Sequence, residues 1–123
     1  MAYADTDFFL AIMKKNDWLK SNARRIYKEY KRELWTSFAT IIELMLLCHR
    51  YNLDPEKVTL ALYSICNMVG IEKQKALLAA YNMKHNKLNV FDAFHAAFSA
   101  DNTIISSDKK FDELGIKRIK LEL

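Results

Sequence analysis

Four short apolar segments separated by helical stretches constrain this chain more than any other feature. Residues 3–4, 34–36, 103–106 and 116–121 read as strands, with Thr103-Ile104-Ile105-Ser106 the clearest of them. Helices are expected between them. Asp5-Thr6-Asp7 supplies an acidic or hydroxyl cap for a helix over residues 8–13, and Asn16-Asp17 caps a second over 18–32. A third runs from Ser37 to about Tyr51, and Asp54-Pro55 starts a fourth over 56–68, with Pro at the first helical position. Helices over 72–83 and 90–100 follow, the last capped by Asn89, and a short one over 109–114 is stopped by Gly115. Helices between successive strands imply a parallel sheet covered on both faces. The expected fold is therefore α/β, a three-layer α/β/α sandwich with a short central parallel sheet, in one domain spanning residues 1–123.

Hydrophobic residues make up 51% of the chain, enough for a core that needs no disulfide or structural metal. Cys48 and Cys66 lie in apolar helical stretches, far from any C-x-x-C or zinc-finger spacing, and read as buried thiols of a reducing compartment. The first residues lack the pattern of a signal peptide. The longest uncharged run, 58–71, is too short to span a bilayer. A soluble cytoplasmic protein is expected. Only two Gly and one Pro are present, which leaves little room for a Gly-rich phosphate loop.

The acids carry the chemistry. Ligands of open parallel sheets bind beyond the carboxyl ends of the strands, and Asp5 and Asp108 both fall just past a strand. Glu43 is the only charge in the apolar stretch 38–48, and a buried carboxylate must find a cationic partner or change its pKa. In the apolar segment 90–98 only Asp92 and His95 are polar, three residues apart on one narrow stripe. Each acid also has a structural role open to it. Asp5 and Asp108 can cap helices, Asp92 with Asn89 has capping-box spacing, and Glu43 can sit in an ion pair. His95 reads as a core histidine rather than a ligand. As a set, two acids at strand ends and two on apolar helices suit a hard cation such as Mg²⁺ or Mn²⁺, without which crowded carboxylates would raise one another's pKa.

Four segments in order resemble the PIN domain, the nuclease fold of the virulence-associated protein C toxins and of several RNA-processing factors. They are Tyr3-Ala4-Asp5-Thr6-Asp7-Phe8-Phe9-Leu10, Thr40-Ile41-Ile42-Glu43-Leu44, Phe91-Asp92-Ala93-Phe94-His95-Ala96-Ala97 and Ile104-Ile105-Ser106-Ser107-Asp108-Lys109-Lys110-Phe111. The resemblance implies that Asp5, Glu43, Asp92 and Asp108 are the catalytic, metal-binding acids, with Ser106 at the family's hydroxyl position. Asp7 stands where Asn or Ser is frequent, so it is either a fifth acid at the site or a cap. The segment 54–89 matches nothing beyond helices. The implied chemistry is Mg²⁺- or Mn²⁺-dependent hydrolysis of RNA phosphodiester bonds, leaving a 5′-phosphate and a 3′-hydroxyl.

Formal net charge is +4; setting the four acids aside from the total of 15 leaves 11 against 19 bases. Lys109 and Lys110 adjoin Asp108 and are candidates to hold the RNA backbone, whereas Lys20, Arg24 and Lys28 read first as a solvated helix face. The leading expectation is the toxin of a toxin–antitoxin pair. The alternatives are a housekeeping RNA-processing nuclease and a non-catalytic RNA-binding or assembly module on the same fold. Phe8, Phe9, Trp18 and Tyr30 are expected to leave apolar surface on the early helices, for a second copy of the chain or an antitoxin segment to cover.

Overall fold

A computed structural model describes residues 1–123. Strand β1 (Ala2–Ala4) leads into helices α1 (Thr6–Met13) and α2 (Lys20–Tyr30), then β2 (Leu34–Ser37). Helices α3 (Phe38–Leu47) and α4 (Pro55–Ile65) precede β3 (Asn67–Val69). Helices α5 (Lys73–Asn86) and α6 (Val90–Ser99), β4 (Thr103–Ser106), α7 (Lys110–Glu113) and β5 (Arg118–Lys120) complete the chain. The five strands form one parallel sheet in the order β3-β2-β1-β4-β5. No helix is long and apolar enough to cross a membrane.

Period-2 alternation divides the strands between two cores. Ala2, Ala4, Leu34 and Ile105 face a layer built from α1, α2, α3 and α4, where Phe8, Phe9, Ile26, Leu44 and Leu62 are buried. Tyr3, Ile104 and Trp35 face the other way, onto α6 and α7, through Ala96, Phe98 and Phe111. Helix α5 joins this layer by packing Ala79 against Ala93 and Ala97 of α6. The chain is thus a three-layer α/β/α sandwich.

Most caps follow the sequence. Asp54 accepts hydrogen bonds from Glu56 and Lys57 N–H ahead of α4, and Asn89 accepts from Asp92 N–H at 2.9 Å at the head of α6. Gly115 takes φ +76°, the left-handed region in which a residue without Cβ ends a helix cheaply. Two expectations change. The helix expected over 56–68 ends at Ile65, and Asn67–Val69 forms an edge strand whose Thr36–Met68 and Ser37–Val69 pairings extend the sheet beyond β2. Cys66 is already extended, at φ −154° and ψ 162°. Phe8 and Phe9, expected at the surface, are fully buried in the larger core, while Trp18 is 77% exposed. Helices α3 and α4 expose Ile42, Met45, Leu46, Leu60 and Tyr63, and α5 exposes Leu77, Tyr81 and Met83.

Candidate metal centre

Parallel pairing of β1 with β4 sets Ala4 opposite Ile105, so the residues that follow these two, Asp5 and Ser106, meet at the carboxyl edge of the sheet. Asp5 caps α1 through its Oδ1, which accepts from Thr6 N–H at 2.7 Å, and its Oδ2 accepts from the Ser106 hydroxyl at 2.7 Å. Glu43 enters from α3 and His95 from α6. The His95 Nε2 lies 2.8 Å from Glu43 Oε1 and 3.4 Å from Asp5 Oδ1. One ligand atom from each of these three residues falls within 4.8 Å of the other two. The Thr6 hydroxyl donates to Glu43 Oε1 and sits 3.2 Å from His95 Nε2.

Behind the imidazole, the Tyr3 hydroxyl lies 2.8 Å from His95 Nδ1, 2.9 Å from Ser37 Oγ and 3.3 Å from Thr40 Oγ1. Thr36 Oγ1 continues the chain, 2.7 Å from Thr40 Oγ1 and 2.9 Å from the Ala4 carbonyl. The Tyr3 ring is fixed by stacking on Phe98 at a 5.8 Å centroid separation and by an edge contact with Trp35 at 4.9 Å. His95, Ser37, Thr40 and Thr36 are all buried, so this network is a polar seam in an otherwise apolar interior.

Burial pushes the Asp5 carboxyl up from its ordinary range; His95 and the hydrogen bonds from Ser106 and Thr6 pull against that rise, and Glu43 adds to it. Burial works against a charged His95, but the Tyr3 oxygen and the Asp5 and Glu43 carboxylates outweigh it and hold the imidazole well above its usual range. The histidine is therefore an internal counter-charge for two carboxylates.

The other acids occupy the same edge differently. Asp7 neither caps α1 nor joins the three-residue group. Its Oδ2 accepts from the N–H of Ser107 at 2.9 Å and from the Ser107 hydroxyl, which ties α1 to the loop after β4. Its Oδ1 is buried without a partner. Burial first, and the Asp5 charge second, push the Asp7 carboxyl up to about 7. Asp92 and Asp108 are brought together by Lys110, whose Nζ lies 2.6 Å from Asp92 Oδ2 and 3.8 Å from Asp108 Oδ2. Both also fill the structural roles open to them. Asp92 completes the capping box with Asn89, and Asp108 accepts from Lys110 N–H at 2.9 Å while its own N–H donates to Ser106 Oγ at 3.0 Å. Lys110 is engaged within the protein, and Lys109 is exposed.

The donor set suits a divalent cation. Asp5, Glu43 and His95 converge on one point, where an ion would take the place of the proton on His95 Nε2; Asp92 and Asp108 stand outside that three-residue group and meet on Lys110 instead. His95 and Thr6 stand with Asp5 and Glu43 at this point, and sequence reasoning assigned neither of them to the site. The signal for His95 was the Asp92/His95 stripe on α6, which reads first as core packing until α3 is placed against it.

A family model described as the PIN domain matches residues 2–117. No curated protein is significantly similar to the chain in sequence. Among solved structures, the fold is similar to a Mycobacterium tuberculosis VapC20 toxin described as cleaving the sarcin–ricin loop, at TM-score 0.78 and 16% identity over 98% of this chain and 99% of that one. It is similar to a chain of a Klebsiella pneumoniae toxin–antitoxin complex at TM-score 0.75 and 20% identity, covering 98% of each. A chain of a Rickettsia felis VapBC2 complex bound to a promoter DNA fragment matches at TM-score 0.75 and 10% identity, again covering 98% of each.

Proposed function

Because the chain belongs to the PIN-domain family, we propose that it is a metal-dependent endoribonuclease and the toxin of a toxin–antitoxin pair, working in the cytoplasm. The observation that carries the reading is the convergence of Asp5, Glu43 and His95 at the carboxyl edge of the sheet, with Asp92 and Asp108 beside them on Lys110. Asp5, Glu43, Asp92 and Asp108 would hold the ion. A bound Mg²⁺ or Mn²⁺ supplies Lewis-acid chemistry there, lowering the pKa of a water and neutralising charge on the scissile phosphate. The chain's own residues do the rest. Ser106 and Thr6 hold the Asp5 and Glu43 carboxylates in fixed orientations, and one carboxylate accepts the proton of the attacking water. Lys109, exposed beside Asp108, would meet the RNA backbone, and Lys110 would join it if its carboxylates held an ion.

The antitoxin partner is supported by the toxin–antitoxin complexes among the structural neighbours. A homodimer is supported by the apolar side chains exposed on α3 and α4. Incubation of the purified protein with single-stranded RNA, in Mn²⁺ or Mg²⁺ and in EDTA, tests the activity. Cleavage should require the cation, leave 5′-phosphate and 3′-hydroxyl ends, and disappear in Asp5→Asn and Glu43→Gln. Cleavage that persists in EDTA or in Asp5→Asn would sink the reading.

A further inference from the structure

His95 is not one of the four acids, yet its ring reaches two of them. Its Nε2 is 2.8 Å from Glu43 Oε1 and 3.4 Å from Asp5 Oδ1. Those separations match neighbouring ligands on one ion. With metal–ligand bonds near 2.1 Å, donors sit about 3.0 Å apart in an octahedron and about 3.4 Å apart in a tetrahedron. The far side of the ring is arranged as metal-bound histidines are. The Tyr3 oxygen lies 2.8 Å from Nδ1, within reach to accept the Nδ1 proton of a ring bound through Nε2, with Ser37 and Thr40 in turn within reach of the Tyr3 hydroxyl proton. With Nδ1 keeping its proton on Tyr3, a metal ion would displace the Nε2 proton and take that lone pair. The ring is fully buried and packed against Tyr3, so it holds this orientation before any ion arrives.

Resting on the metal-dependent reading above, we propose that His95 is a nitrogen ligand of the site, oriented by Tyr3, and that it tunes the site toward first-row transition ions such as Mn²⁺ and Co²⁺ over Mg²⁺. Imidazole suits these borderline ions, whereas Mg²⁺ takes oxygen ligands and keeps its waters. A site of carboxylates alone would discriminate less, and the replacement of one oxygen by nitrogen is a property of this chain's own sequence rather than of the four acids. Thr6 supports the arrangement by holding Glu43 Oε1 on the same side as Nε2.

Titration calorimetry with Mg²⁺, Mn²⁺ and Co²⁺, together with proton NMR of the Co²⁺-loaded protein, tests this without reference to RNA. In the wild type, Co²⁺ should bind well ahead of Mg²⁺. The coordinated ring should give a paramagnetically shifted resonance that is present in H₂O and lost in D₂O, the Nδ1 proton held by Tyr3. His95→Gln should keep Mg²⁺ binding and reduce the Co²⁺ preference by about 10- to 100-fold, and Tyr3→Phe should weaken Co²⁺ by a similar factor through the freed ring. The NMR measurement uses the wild type, so it stands whether or not the variants fold. A Co²⁺-loaded wild type without the shifted exchangeable proton, or a folded His95→Gln with an unchanged Co²⁺ to Mg²⁺ ratio, would overturn the nitrogen ligand and leave the nuclease reading intact. A wild type that binds none of the three ions would overturn both.

Discussion

The phenol oxygen of Tyr3 lies 2.8 Å from Nδ1 of His95, which makes the residue two before Asp5 on β1 the anchor of a ring that reaches Asp5 and Glu43 from α6. The two side chains are 92 positions apart in sequence. Their bond links the sheet, the helix and the acids into one unit, and its consequences for stability and metal binding can be measured.

Tyr3→Phe removes the hydroxyl and keeps the ring stacked on Phe98. His95 Nδ1 loses its partner in a site with no water access, as does Ser37 Oγ. Leaving buried polar groups unpaired costs about 1–3 kcal/mol, so unfolding in urea should show a loss of that size. An unchanged unfolding free energy would mean that the seam contributes nothing to the fold.

Asp7 should make the metal-free protein sensitive to alkali. Its carboxyl is pushed up to about 7 in the fold against 3.8 for the free group. The folded state therefore keeps a proton that the unfolded chain releases. The associated stability is fully present below the unfolded value and is lost as pH rises through the folded one. Asp7→Asn removes this titration while its amide oxygen still accepts from Ser107. In EDTA at about pH 8 the variant should exceed the wild type by on the order of 1 kcal/mol, and below about pH 4 the advantage should vanish. Melting curves across that range decide it; a variant less stable than wild type at every pH would contradict the assignment.

Lys110 should compete with the metal. Its Nζ is 2.6 Å from Asp92 and 3.8 Å from Asp108, in a pair that is partly open to solvent. Lys110→Met should lower the melting point in EDTA only modestly, by about 0.2–1 kcal/mol for such a pair. The stabilisation conferred by Mn²⁺ should grow, because two carboxylates no longer have to exchange an ammonium for the ion. A smaller Mn²⁺ shift than in the wild type would show that Lys110 assists binding.

The exposed apolar side chains of α3 and α4 should bring two copies together. Ile42, Met45 and Leu46 lie on one helix and Leu60 and Tyr63 on the helix packed beside it. Leu60→Glu puts a charge into that face without touching the core. Light scattering at protein concentrations on the order of ten micromolar should give a dimer mass for the wild type and a monomer mass for the variant. A monomeric wild type would remove the dimer.

The parts of this fold legible in the sequence are those set by local rules. Thr103–Ser106 is a strand because a short β-branched run lies between turn residues, and α4 begins where Asp54 meets Pro55. Glu43 and Asp92 stood out because a lone charge in an apolar stretch needs a partner, and Asp5 and Asp108 because they fall just past a strand. Strand β3 did not stand out. Three residues following a helix continue its apolar pattern, and they become a strand only because the free edge of β2 is there to pair with them. The exposure expected of Phe8 and Phe9 failed for a similar reason: the sequence marks α1 as apolar, but only the arrival of α2 and α3 decides how much of it is covered.

The sequence by itself determined the class of fold, the caps and the inventory of acids, since periodicity, capping and charge act over a few residues. The tertiary structure decided which of those acids share a point and what stands among them. His95 meets Glu43 across 52 positions and Tyr3 across 92 because strand register and helix packing fix those distances to within a hydrogen bond. On α6 alone the same histidine is a polar residue on an apolar helix, and a helix does not carry the position of its neighbours in its own pattern.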